Sequence, residues 1–183
     1  KSIKDNQLEN EKRLAKKLKV KPGGKILDIG CGCGRIAHNI YNLTKCKVYG
    51  INIDEVQLDD ARKYSRGKNP NEFFFLDLND NYPFPDNYFD AIYSVQAITT
   101  FIQNYDKLYK ELYRVLKPGG ILFFFDAVLL DYFDGRNQYH LKLFKNSMEV
   151  MSAGNSINYY KYYQDYAIKN GFVLLSSSGG KYP

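Results

Sequence analysis

Tryptophan is absent from this chain, and histidine, methionine and cysteine are scarce, with 2, 2 and 3 residues. His38 and His140 are the only histidines, and no cluster of ligand residues suggests a metal. His38 reads as a helix residue, and His140 is the one histidine with some prospect of reaching a pocket mouth. Cys31, Cys33 and Cys46 are an odd set with two members in one glycine loop, which is no disulfide framework. Cys31-Gly32-Cys33 is too tight for the usual zinc-ligand spacing. Scarce cysteine fits a reducing, cytoplasmic compartment. No signal peptide and no run long enough to span a bilayer is visible. The chain begins at Lys1 rather than Met, so a preceding leader or segment is expected.

What is abundant is tyrosine and phenylalanine, 17 and 12 residues. Compositional bias is the favoured reading and an aromatic substrate pocket the sharper one. The formal charge of +6 draws heavily on Lys12, Arg13, Lys16, Lys17, Lys19, Lys21 and Lys25. A solvated helix face explains them most simply, and an anionic surface is the alternative partner. No motif that reads DNA or RNA is present, so no nucleic-acid partner is expected. A length of 183 residues suits one domain with a full core.

Along the chain, short apolar runs alternate with helical periodicity. Helices are expected over 5–19, with Leu8, Leu14, Ala15 and Leu18 inward, and over 35–43, 55–65 and 104–116. Strands are expected over 25–29, 46–51, 72–76, 88–94 and 121–125. Lys117-Pro118-Gly119-Gly120 reads as the turn into the fifth strand. Helices over 139–151 and 159–169 follow, then a sixth strand over 172–176. The alternation argues an α/β fold, a Rossmann-like, doubly wound and mostly parallel sheet with helices on both faces.

The strongest motif is Asp28-Ile29-Gly30-Cys31-Gly32-Cys33-Gly34, placed between a strand and a helix. Such a turn lets a nucleoside approach the backbone closely. A dinucleotide site asks for Gly-x-Gly-x-x-Gly. Here the glycines fall at 30, 32 and 34 and position 35 is Arg, which argues for another nucleoside cofactor. Asn52 stands at the end of the second strand, where a ribose-binding carboxylate is usual, with Asp54 as the next helix cap and Gln57 on its first turn. Asp77 closes the third strand and suits the adenine amino group, with Ile53 and Leu78 placed to sandwich the ring.

These residues resemble the class I methyltransferases that use S-adenosylmethionine and release S-adenosylhomocysteine. Leu27 to Gly34, Phe89-Asp90-Ala91-Ile92-Tyr93-Ser94 and Leu116 to Gly120 match three of that family's motifs. Within it the chain is most similar to the sterol C-methyltransferases, through Val48-Tyr49-Gly50-Ile51-Asn52, Gln57, Tyr109 to Leu116 and Met148 to Asn155. The resemblance implies that Asp28, Gly30, Cys31, Gly32, Gly34, Asn52, Ile53, Gln57, Asp77, Leu78 and Gln96 bind the cofactor. It implies catalytic roles for Gln96, Asp126 and Glu149, with Tyr93, Phe101 and Tyr132 beside them in the pocket. Phe123 to Phe125 read as core strand.

Gln96-Ala97-Ile98-Thr99-Thr100 departs from the family, which carries Glu-Ala and then Cys-His there. The family also has a sterol-binding segment before the first helix and a seventh strand between the fifth and sixth. The single domain is therefore expected to lack a segment at each end. Methyl transfer to an alkene would leave a cation for aromatic faces to stabilise and a proton for a base to remove. The substrate implied is a sterol or related isoprenoid lipid, which suggests peripheral contact with the endoplasmic reticulum membrane. Oligomeric state is not legible. A small-molecule N- or O-methyltransferase and a degenerate module that binds the cofactor without transfer are the alternatives.

Overall fold

The structure is a computed structural model that describes residues 2–98, 102–151 and 157–177. Helix α1 (Ile3–Leu18) precedes strand β1 (Lys25–Ile29). Then come α2 (Arg35–Thr44), β2 (Lys47–Asn52), α3 (Glu55–Ser65) and β3 (Glu72–Phe75). Strand β4 (Phe89–Val95), α4 (Tyr105–Val115), β5 (Leu116–Phe125), α5 (Gln138–Met151) and α6 (Tyr160–Lys169) complete the described elements.

The sheet is parallel throughout, with strand order β3-β2-β1-β4-β5. The chain winds outward from β1 to β3, returns to the middle at β4 and winds the other way. The order therefore reverses between β1 and β4, and their carboxyl ends frame the crevice where such sheets take ligands. This is the expected doubly wound α/β architecture.

Alternation along the strands divides the core in two. Ile26, Val48, Ala91 and Tyr93 pack with residues of α1, α2 and α3. Leu27, Ile29, Tyr49, Ile51 and Ile92 pack on the other face with Tyr105, Leu108, Tyr109, Leu112 and Val115 of α4. Much of the aromatic excess is spent on this second face, where Tyr49, Phe74, Phe84, Tyr88 and Phe89 meet edge to face. Tyr105 of α4 likewise meets Tyr162, Tyr163 and Tyr166 of α6.

Local signals explain the helix starts. The Asp54 carboxylate accepts from the N–H groups of Val56 and Gln57 at 2.9 and 3.1 Å, capping α3, and Asn104 caps α4 through Lys107 N at 3.0 Å. Helix α6 stops at Asn170 and Gly171 as expected.

Three expectations need correction. Residues 172–177 form no strand: they lack a neighbouring strand to pair with among the described residues, and Val173 and Leu175 stand exposed. Strand β5 begins at Leu116 directly after α4, with no separate turn. Leu116 pairs with Phe89 and Ile121 with Ala91, so Lys117 to Gly120 bulge opposite the single residue Asp90. On α1, Leu8 is exposed while Glu11 is buried with Leu14 and Leu18.

Candidate cofactor site

The loop from Gly30 to Gly34 hangs between β1 and α2, and its three glycines have φ of 69°, 52° and 74°. The N–H groups of Gly30 and Cys31 both donate to the Ile51 carbonyl, at 2.9 and 3.1 Å. That bifurcated contact fixes the loop on the end of β2. A side chain at Gly34 would lie 2.9 Å from the Ala61 methyl and 3.0 Å from the Phe73 ring, so its positive φ and its crowding both require glycine. Cys31 turns its thiol into the core beneath the loop. Gly50, opposite Asp28 in register, leaves it room, because a Cβ there would sit 2.8 Å from Cys31 Sγ and 2.5 Å from Phe73. Burial pushes the Cys31 thiol far up, so it is no nucleophile. Cys31 thus offers a ligand its backbone, and the exposed cysteine of the loop is Cys33.

Beside the loop, Asn52 Nδ2 donates to Gln57 Oε1 at 3.0 Å. Gln57 Oε1 lies within 3.4 Å of where a Cβ on Gly32 would be. Loop, second strand and third helix therefore bring Gly32, Asn52 and Gln57 together. Ile53 stands next to them with 52 % of its surface exposed, an apolar platform at the site's edge. Asp77 accepts from Asn79 N and Nδ2, both at 2.8 Å, and Leu78 is half-buried behind it. The loops after β1 and β4 pack too closely for a methyl between them, since a Cβ on Gly30 would strike the Ala97 methyl at 2.3 Å.

Asp28 is buried at the end of β1 and accepts a hydrogen bond from the Tyr93 hydroxyl at 2.7 Å. Burial raises its carboxyl to about 7, and the Tyr93 bond opposes that rise. Tyr93 is itself fully buried, so it lines no substrate pocket, contrary to expectation. Sequence reasoning also missed Glu11, whose carboxylate accepts from Asn39 Nδ2 at 2.6 Å and from Arg35, the residue after Gly34. The available signal was its place on the stripe of Leu14, Ala15 and Leu18.

At the crevice, Gln96 is exposed with φ 57°, and its N–H donates to the Phe125 carbonyl at 2.9 Å. Asp126 accepts from Ile98 N at 3.0 Å and Ala127 N at 2.8 Å, which ties the loop after β4 to the end of β5. Tyr132 is exposed. Phe123 and Phe124 pack on opposite cores and only Phe125 is exposed. Glu149 lies on α5, but its side chain and all of Phe101 fall outside the described residues. His38 meets Asn69 at 2.8 Å, and His140 Nδ1 accepts from Asp134 N at 3.0 Å. A separate cleft of about 380 Å³ lies at the start of β3, lined by Arg62, Arg66, Asn69 and Asn71 among others. It is at the opposite end of the strands from the glycine loop.

Residues 27–124 match the methyltransferase domain family. The chain belongs to that family. The S-adenosylmethionine-dependent class expected from the resemblance is thereby established, with S-adenosylmethionine as the domain's cofactor. The chain is 34 % identical to a sterol 24-C-methyltransferase of Aspergillus fumigatus over 136 residues, 73 % of this chain and 36 % of that protein. It is 31 % identical to squalene methyltransferase 1 of Botryococcus braunii over 175 residues, 94 % of this chain and 46 % of that one. The methyltransferase domain thus spans less than half the length of the curated relatives it matches. In fold it is similar to a cyclopropane synthase of Mycobacterium tuberculosis, with a TM-score of 0.80 at 19 % identity, covering 96 % of this chain and 64 % of that one.

Proposed function

We propose that this domain serves an enzyme that methylates a carbon of a sterol or related isoprenoid lipid. The observation that carries this reading is the likeness to sterol and squalene methyltransferases over 73 % and 94 % of the chain. When bound, the cofactor supplies an electrophilic methyl on a sulfonium. The residues suit it. The backbone of Gly30, Cys31, Gly32 and Gly34 gives close approach, and Asn52 and Gln57 present an amide pair for ribose hydroxyls. Ile53 and Leu78 hold the adenine ring, with Asp77 at its amino group. Gln96, at the carboxyl end of β4, meets cofactor and substrate together.

Asp126 works as a positioning residue in this reading, because its carboxylate accepts two backbone N–H groups. Glu149 is the candidate base. Phe125 exposes apolar surface at the carboxyl end of β5, and Tyr132 and Tyr139 are exposed in the segment that follows. The basic face of α1, with Lys12, Arg13, Lys16 and Lys17 exposed, suits peripheral contact with an anionic membrane such as that of the endoplasmic reticulum. Among the described residues no helix is long and apolar enough to cross a membrane.

The test is transfer of labelled methyl from S-adenosylmethionine to sterols, to squalene and to small amines or alcohols, using the full-length protein. Label in the sterol or squalene is the expected result. Label only in a small amine or alcohol would replace the lipid reading, and cofactor binding without transfer would mark a degenerate module.

A further inference from the structure

Asp28 and Tyr93 face each other in register across β1 and β4, on the strand pair where the sheet order reverses. Both are buried, at 2 % and 0 % exposure, and their oxygens lie 2.7 Å apart. A buried acid of this kind needs a reason, because removing a carboxylate from water without a cation is costly. Among the described residues the groups around it supply no cation of their own: Arg62 of α3, whose charge is felt at Cys31, is paired with Glu55 and Asp59. Cys31, on the loop above, is held neutral by burial. Glu11 reaches in from α1 and its charge is taken up by Arg35 of α2. On the β2 side the register partner is Gly50, which has no side chain. Tyr93 is thus the group that favours the ionised form of Asp28, and it does so with one hydroxyl.

We infer that Tyr93 is a positioning residue for the cofactor site, holding Asp28 ionised beneath the glycine loop so that the loop binds a cationic nucleoside. The inference rests on the reading of Asp28 as a cofactor-site residue. A sulfonium brings a positive charge near a carboxylate in a poorly screened interior, so each favours the other. Binding is then linked to loss of a proton from Asp28. Burial lifts the Asp28 carboxyl to about 7, so the linkage falls near neutrality. Removing the Tyr93 hydroxyl leaves the packing in place, raises the carboxyl further and moves the binding-competent form to more alkaline pH.

The experiment is calorimetric titration of the protein with S-adenosylmethionine from pH 5.5 to 9, for wild type, Tyr93→Phe and Asp28→Asn. Wild-type affinity should rise about tenfold through neutrality. In Tyr93→Phe the midpoint should move up by about 1–2 pH units, as expected for a lost hydrogen bond to a charged group, with affinity recovering at the alkaline end. A merely structural tyrosine gives no such recovery. Asp28→Asn should bind weakly and with a flat profile. A wild-type profile in Tyr93→Phe beside weak, flat binding in Asp28→Asn would overturn the role of Tyr93 alone. Wild-type binding by Asp28→Asn at every pH would remove the premise, that Asp28 serves the cofactor. Should Tyr93→Phe fail to fold, wild-type titrations near pH 6.5 in two buffers of different ionisation enthalpy decide. Net proton release on binding supports the linkage, and none between pH 6 and 8 overturns it.

Discussion

The two faces of the sheet are built from different materials. Under α1, α2 and α3 the packing is close and small. Ala37, Ala61, Gly34 and Gly50 let the glycine loop settle onto β2, and two carboxylates, Asp28 and Glu11, are buried with hydrogen-bonded partners. Under α4 and α6 the packing is broad and aromatic, with tyrosine rings meeting edge to face. The difference teaches where stability and binding are separately held. The aromatic face buries apolar area and meets the loop through the backbone carbonyl of Ile51. The small-residue face gives up area to bring backbones and charges to the glycine loop.

Mutations can break that division. Leu112→Ala, in the centre of the aromatic face with no exposure, should cost about 2–5 kcal/mol. Denaturant titration should show the loss, while affinity for S-adenosylmethionine in the folded fraction stays within about twofold, since no cofactor residue is touched. Equal loss of affinity would show that the faces are coupled. Gly50→Val should act on both quantities. Its side chain meets Phe73 and Cys31 at 2.5 and 2.8 Å, so overpacking should cost about 1–3 kcal/mol, and displacement of Cys31 should weaken cofactor binding about 100-fold.

Asp28→Asn sharpens the contrast from the opposite direction. Burial lifts the folded-state pKa of Asp28 from the ordinary carboxylate range to about 7. Its contribution to the unliganded fold is therefore full below pH 4 and lost as pH rises through 7. At pH 8 the amide should stabilise the unliganded protein by about 1–3 kcal/mol, seen as a higher melting temperature, although cofactor binding falls. The smallest effect should come from Tyr49→Phe on the aromatic face. It deletes the 3.1 Å contact with the Tyr88 hydroxyl, worth about 0.5–1.5 kcal/mol in thermal unfolding.

The sheet and the loop were legible because their signals are local. A short apolar run ending in three alternate glycines, and caps such as Asp54 and Asn104, report on their own neighbourhood. What escaped depended on partners distant in sequence. Tyr93 reads equally well as a pocket or a core residue until its register with Asp28, 65 positions away, is known. Glu11 looks solvated, as a glutamate on a lysine-rich helix should, yet it lies on the apolar stripe and finds Arg35 and Asn39. The segment 172–177 has the composition of a strand, but a strand exists only beside another.

The crowding around Gly50 carries an evolutionary consequence. Cys31, Gly50, Phe73, Ala61 and Gly34 share one volume, with hypothetical Cβ contacts near or below 3.0 Å at both glycines. A mutation that enlarges one of them is tolerated only when another shrinks. Among related sequences these positions should therefore change in compensating pairs: a larger residue at 50 should accompany a smaller one at 31 or 73. The lineage is thereby confined to a narrow path of neighbouring genotypes.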